Sequence, residues 1–418
     1  MNSSDIYQHI LNYRIPDLET GPNTIHPEYF GHSLLNVPAT VAQLLDCPVP
    51  GQLALHEDYL NGLKEKYKHV VLLLVDGLGF NLLQSLMDLP SAQVYRDAVI
   101  EPMTSISPST TAAAISSLWT GASPAEHGIL GYEVYLREYG LIANMIQHNP
   151  ASFNGVAGSL YQTGMKPQTF IPVPTLGPHF RRNGVQVQVL QPSNILNSGL
   201  TTMLFEGLQT FGYSNISDFW ATLRQMTENV QFQRSYTYAY FSNIDELSHR
   251  YSPDDVRVRW EFDIFSQGLA RFLESLPRDG DTVVLMLADH GQKTSVIKPE
   301  YNVRRNLELK QDLVMYPSGE NRFAYFYAKA DRLESLRTTL TTMFPGEMTV
   351  LNSKDAVAKG LFGQGEPYHR TWDRVGDLLT ISNGDAYFWW ALKENRLMGR
   401  HGGLSADEML IPLIRFEI

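Results

Sequence analysis

Three long apolar runs in this chain end on acidic residues. HVVLLLVDG (residues 69–77) and DTVVLMLADHG (281–291) are continuous, while SYTYAYFSNID (235–245) is rich in aromatic residues. Runs of this length are too short to cross a membrane. Without polar alternation they predict buried strands of a parallel sheet. A helical pattern follows the first, reaching Leu86, Asp245 and His249 are spaced for one helical face, and a long helix over Pro253–Leu276 separates the second run along the chain from the third. A further αβ unit runs from Thr175 through the capping Gly184 to a strand at Val185–Leu190, and a helix is expected over Ser217–Asn229. Alternation of strand and helix in this way defines an α/β core.

The pattern changes after about Lys293. RFAYFYAK alternates as a strand, Leu333–Phe344 reads as a helix, and EMTVLN reads as a second strand before the Gly- and Pro-containing FGQGEPYH. These form a compact β-α-β unit, read as a small α+β cap over 301–370. The core is expected over 67–300 and 371–418, its strand pattern resuming in DRVGDLLTISNGDAYFWW. Residues 1–66 are punctuated by proline, offer no recognisable chemistry and are expected to wrap the core. The stretch from about Tyr132 to Phe170 is polar, aromatic and irregular, which suits a wall or lid beside a site.

Length and composition narrow the reading. A chain of 418 residues, 43% apolar and 18% charged, accommodates one large α/β domain with an insertion. A net charge of −11 argues against a nucleic-acid duplex as the main partner. The single cysteine, Cys47, excludes an intramolecular disulfide and any multi-thiolate zinc site. With no signal-peptide pattern at the N-terminus and no run of eighteen apolar residues, a soluble, cytoplasmic protein without membrane attachment is expected.

Candidate chemistry centres on PSTTAAAISSLWTGASPAEHG, from Pro108 to Gly128. Pro108 disfavours helix at Ser107 and the alanines favour it afterwards, so Thr110 and Thr111 fall at or just inside a helix N-terminus. There, free N–H groups and the positive end of the helix dipole would meet a phosphate-like oxygen beside a hydroxyl able to attack. Asp76, Asp245 and Asp289 lie at or just beyond strand ends; His249 follows Asp245 by one helical turn, and His290 follows Asp289 directly. His401 sits between Arg400 and two glycines. Taken singly, these are ordinary caps and loop residues. Together, three aspartates and three histidines suit two divalent transition-metal ions, Zn²⁺ foremost, with Mn²⁺ or Fe²⁺ also compatible, better than Mg²⁺ or Ca²⁺. The Gly77-Leu78-Gly79 turn hints at a dinucleotide fingerprint, but Leu82 replaces its third glycine.

In this order, VDGLG, PSTTAAAISSLWTGASPAEHGILGY, NIDELSH, ADHG and RHGGLSADEM resemble the blocks of the alkaline phosphatase superfamily, specifically its type I phosphodiesterase/nucleotide pyrophosphatase branch. The resemblance implies a three-layer α/β sandwich with a mostly parallel central sheet and a cap inserted between the ADHG and RHGG blocks. Relatives in the branch place the nucleophile ten residues before the glycine of the helix-end Thr-Gly pair, or three after a proline; both counts select Thr111. One metal site is then implied from Asp76, Thr111, Asp289 and His290, and another from Asp245, His249 and His401. Where nucleotide pyrophosphatases usually carry an asparagine that binds a phosphoryl oxygen, this chain has Gly131-Tyr132, and the Tyr132 hydroxyl is the candidate substitute. The expected reaction is hydrolysis of a phosphodiester, a nucleotide pyrophosphate or a related phosphonate, with a small phosphate ester or nucleotide as the substrate. A phosphoryl mutase or transferase, and a non-catalytic nucleotide-binding member, are the alternatives.

Overall fold

In the computed structural model, which describes residues 3–96, 98–152 and 155–418, the three acid-terminated runs lie side by side. They belong to a seven-stranded sheet ordered 99–104, 410–417, 282–287, 69–75, 234–241, 185–192, 209–213. Only the C-terminal strand Leu410–Glu417 runs against its neighbours. The register pairs Val75 with Phe241 and Leu74 with Leu287, so three adjacent strands end at the same level and release Asp76, Asp245 and Asp289 at one edge.

Helices cover both faces of this sheet. Strand residues alternate in direction, and Tyr236 and Tyr238 meet Trp119 of the helix Thr111–Thr120, whereas Phe241 meets Phe219 and Phe265 of helices Ile216–Glu228 and Val256–Ser275. The long helix Val256–Ser275 buries Val258, Phe262, Phe265, Leu269, Phe272 and Leu273, one apolar stripe at helical spacing. By contrast, Thr111–Thr120 is buried all round, which its small alanines and serines permit, and Gly121 closes it in the left-handed conformation. In the N-terminal segment, helix Ser3–Asn12 packs Ile6 and Ile10 against the edge strand Val99–Thr104. Among the described residues no helix is long and apolar enough to cross a membrane.

A second sheet, antiparallel throughout, is ordered 348–352, 378–382, 323–326, 318–320, 133–136, 141–144, 149–150. It corrects two expectations. Leu378–Ser382 does not resume the central sheet but pairs between Met348–Asn352 and Phe323–Phe326. Likewise, Glu133–Leu136 and Leu141–Asn144 are not irregular; they extend this sheet through the contact of Glu133 with Gly319. The physical reason is that the second sheet is itself buried on two sides. Phe323, Tyr325, Leu379 and Ile381 join the main core, and Ala324, Phe326 and Leu378 pack with Leu336 and Leu340 of the helix Leu333–Met343. A five-residue strand buried on both faces has the same local pattern as a strand of the parallel core.

Candidate active site

Where the three strands end, the backbone brings the carboxylates together. Gly77 adopts a φ of 74°, and a Cβ there would lie 3.0 Å from the Cα of Asp245, so the turn after Asp76 needs glycine to let the two segments approach. Asp289 is held by N–H groups of Gly77 and His290, at 3.3 and 3.1 Å from its Oδ1. Asp245 and His249 occupy one face of the helix Asn243–Tyr251, with His249 Nε2 3.5 Å from Asp245 Oδ1. His401 arrives from far along the chain. A two-residue ladder pairs Lys293 with Arg400, and a bridge pairs Ser109 with Gly402, which sets the His401 ring 3.7 Å from that of His290, centroid to centroid.

The three histidines share one arrangement. Each Nδ1 lies against a backbone carbonyl: His249 on Gly399 at 2.9 Å, His290 on Gly291 at 3.1 Å, and His401 on Ser109 at 3.0 Å. A carbonyl only accepts, so Nδ1 carries the proton and Nε2 offers its lone pair. Every one of those Nε2 atoms faces carboxylates: His290 lies 3.4 Å from both Asp76 Oδ1 and Asp289 Oδ2, and His401 3.9 Å from Asp245 Oδ1. Histidines that ligate metals are usually oriented in this way.

Acceptors therefore outnumber donors here. Asp76 Oδ1 and Asp289 Oδ2 are buried and have no hydrogen-bond partner, and among the described residues no lysine or arginine pairs with Asp76, Asp245 or Asp289. Burial, then the charges of Asp245 and Asp289, push the Asp76 carboxyl well above the usual range. Burial, then His290 and His249, push His401 well below the usual imidazole value. Divalent cations would relieve both, and the donor set fits them. Ligand atoms of Asp245, His249 and His401 lie within 4.8 Å of one another, as do those of Asp76, Asp245 and His290. The carboxylate of Asp245 is common to both groups.

Thr111 is the first residue of its helix, and its Oγ1 lies 3.1 Å from His290 Nε2. Thr110 occupies the capping position but makes no capping bond; its hydroxyl donates instead to Glu320 Oε1 at 2.6 Å. Tyr132 lines a cavity together with Thr110, Thr111, Asp245, His249 and His401, and its hydroxyl oxygen accepts from Asn144 Nδ2 at 2.6 Å, leaving its own proton available. All eight sequence-selected residues thus lie in or around one centre.

Three neighbours were not anticipated. The Tyr240 hydroxyl donates to Asp76 Oδ2, and Gln292 donates to both the carbonyl and the carboxylate of Asp245. Glu320, whose carboxyl burial pushes up to about 8, bridges Thr110 and the backbone N–H of Tyr132. Gln292 directly follows the Asp-His-Gly block and was within reach of inspection. Nothing local marks Glu320, which comes from the second sheet.

The fold and site define an alkaline phosphatase-like α/β protein. Murine ectonucleotide pyrophosphatase/phosphodiesterase 5, an inactive threonine-to-alanine variant in complex with AMP, aligns with a TM-score of 0.62 at 15% identity, covering 84% of this chain and 88% of that one. Phosphonoacetate hydrolase from Sinorhizobium meliloti, in complex with phosphonoformate, aligns with a TM-score of 0.58 at 19% identity, covering 85% and 92%. No curated protein matches the sequence. Residues 70–404 match the family described as Type I phosphodiesterase / nucleotide pyrophosphatase, and the chain belongs to that family.

Proposed function

We propose that this chain is a two-metal hydrolase that cleaves a phosphodiester, a nucleotide pyrophosphate or a related phosphonate, with Thr111 as nucleophile. The observation that carries the reading is the common orientation of His249, His290 and His401, each with Nδ1 on a carbonyl and Nε2 turned toward carboxylates around one hydroxyl. Asp76, Thr111, Asp289 and His290 would hold one ion and Asp245, His249 and His401 the other, most simply Zn²⁺. When bound, the ions would supply charge to stabilise the transferring phosphoryl group and lower the pKa of the hydroxyl beside it.

The chain's own residues do the rest. The Thr111 hydroxyl proton passes to solvent, Oγ1 forms a bond to phosphorus as the bond to the leaving group breaks, and the departing group takes up a proton from solvent in the open cavity. Water then cleaves the threonine ester, returning the hydroxyl, so the net reaction consumes one water per bond broken. At its start, the helix Thr111–Thr120 presents N–H groups without intrahelical partners to the phosphoryl oxygens. Tyr132 donates its free proton to one of them.

A cavity of about 520 Å³ opens from Thr111 between Trp389, Trp390, Arg250, Lys393 and Arg396. Aromatic walls with cationic side chains suit a nucleotide or another aryl-bearing phosphate, in line with the AMP held by the murine structural relative. Metal-loaded protein should hydrolyse bis-p-nitrophenyl phosphate or a nucleotide sugar faster than p-nitrophenyl phosphate. A protein loaded with zinc or manganese that turns over none of these would refute the assignment.

A further inference from the structure

The N-terminal segment, which shows no chemistry in its sequence, carries a second group of ligand-type side chains. Glu28 and His32 stand at the two ends of one turn, closed by the His32 N–H on the Glu28 carbonyl at 3.3 Å. Both are fastened to the end of the edge strand Val99–Thr104. The Glu28 N–H donates to Thr104 Oγ1 at 3.0 Å, and the Thr104 N–H donates to the His32 carbonyl at 2.8 Å. Across from them, His9 projects from the helix Ser3–Asn12, its ring 4.6 Å from that of His32.

Hydrogen bonding determines which atoms are free. The Tyr59 hydroxyl has one proton, and it goes to the Pro102 carbonyl at 2.8 Å. Its oxygen, 3.1 Å from His32 Nδ1, must then accept, which places the His32 proton on Nδ1 and leaves a lone pair on Nε2. That lone pair faces Glu28 Oε2 at 3.9 Å. Glu28 is only 2% exposed; its Oε1 takes the Phe30 N–H, and its Oε2 has no hydrogen-bond partner. Two buried acceptors oppose one another at a distance too long for a shared proton. As at His249, His290 and His401, an imidazole with its proton on Nδ1 turns Nε2 toward a carboxylate. Neighbouring His56 is engaged elsewhere, its Nδ1 2.8 Å from Asp58.

We propose that His9, Glu28 and His32 form a further metal site, occupied by a divalent transition ion, that clips the N-terminal helix to the edge of the central sheet. One atom from each of the three lies within 4.8 Å of the other two. Two imidazoles and a carboxylate are a zinc ligand set, whereas alkaline-earth ions favour oxygen alone. Tetrahedral zinc spaces its ligand atoms about 3.3–3.4 Å apart, so the His32–Glu28 pair closes slightly and the exposed His9 swings inward. The site does not depend on the hydrolytic reading, since it shares no residue with that centre.

Zinc content, measured as equivalents per chain after stripping, reloading with zinc chloride and dialysis, tests the proposal on the full-length protein. His9→Ala, a change at an exposed position, should hold one equivalent fewer than wild type, and Glu28→Gln should do the same while keeping the shape of the buried side chain. In addition, zinc should raise the melting temperature of wild type more than that of either variant, with hydrolysis of bis-p-nitrophenyl phosphate by His9→Ala within about twofold of wild type. Equal zinc content in wild type and both variants overturns the proposal. The count is a difference between folded proteins, so it distinguishes this site from the catalytic one: a loss in His401→Ala but not in His9→Ala would leave only the catalytic reading standing.

Discussion

The Thr111 hydroxyl lies 3.1 Å from Nε2 of His290, at the point where a helix starts against the end of a central strand. One residue earlier, the Thr110 hydroxyl is committed to Glu320 at 2.6 Å. Two adjacent threonines of identical chemistry are thereby separated by direction alone. Thr111→Ala should reduce turnover on the order of 10³-fold or more while leaving metal content unchanged, and Thr111→Ser should retain partial activity. Thr110→Ala should act through stability, by about 1–2 kcal/mol, because Glu320 loses a buried donor rather than because a helix cap is lost. Single-turnover kinetics and thermal melts on the three variants check this; an inactive Thr110→Ala beside an active Thr111→Ala would refute it.

Tyr132 supplies a separate test. Its hydroxyl accepts from Asn144, and in the proposed reaction its own proton goes to the substrate. Tyr132→Phe should lower kcat/KM about tenfold, the value of one hydrogen bond to a charged oxygen, with no change in metal content. An unchanged kcat/KM for both a diester and a nucleotide substrate would remove Tyr132 from the site.

How much of this was legible depended on how local each signal was. Asp76 and Asp289 are readable because a continuous apolar run leads directly to them, and the parallel register then places both at one edge. Asp245 and His249 are readable from helical spacing. His401 is different, because its position depends on the pairing of Lys293 with Arg400 and of Ser109 with Gly402, across more than a hundred residues in each case. The sequence marks it as a loop histidine between Arg400 and two glycines, and the resemblance of the whole set of motifs joins it to Asp245 and His249. Tyr240 was hidden among the aromatic residues of its strand, although its parity with Tyr236 and Tyr238 puts it on the face that meets the helix Thr111–Thr120. The second sheet was the least legible part, since Leu378–Ser382 is buried on both sides and only its partners distinguish it from the core.

Acid should expose a buried imidazole outside the catalytic centre. His127 accepts the Ile129 N–H at Nδ1, lies 3.1 Å from the Ser117 hydroxyl through Nε2, and is pushed down to about 3, first by burial and then by Arg374. Unfolded, the ring would titrate near 6.5, so between these values the unfolded chain binds the extra proton. The contribution of His127 is fully present above about pH 6.5 and is lost as pH falls toward 3, amounting to about 2 kcal/mol by pH 5. Denaturant melts at pH 7.5 and 5 should show this slope, and His127→Gln should flatten it. A variant with the same slope as wild type would assign the acid sensitivity elsewhere.

Asp245 belongs to both ligand groups, lying with His249 and His401 on one side and with Asp76 and His290 on the other. His249 belongs to only one. The two residues share a helical face, but their substitutions should differ in kind. His249→Ala should weaken the metal proposed for Asp245, His249 and His401, and Asp245→Asn should weaken that metal as a direct ligand and the other by removing negative charge from between the groups. The double variant should then behave much like Asp245→Asn alone, since little remains for the second change to remove. Metal titration followed by calorimetry, with turnover of a diester measured in parallel, separates the outcomes. Effects that simply add would mean that Asp245 and His249 act independently, as a helix-end carboxylate and a half-buried imidazole, and their assignment to one metal would have to be abandoned. An Asp245→Asn variant that lost only the metal also lost by His249→Ala would keep the proposed ligand assignment and rule out charge coupling between the two groups.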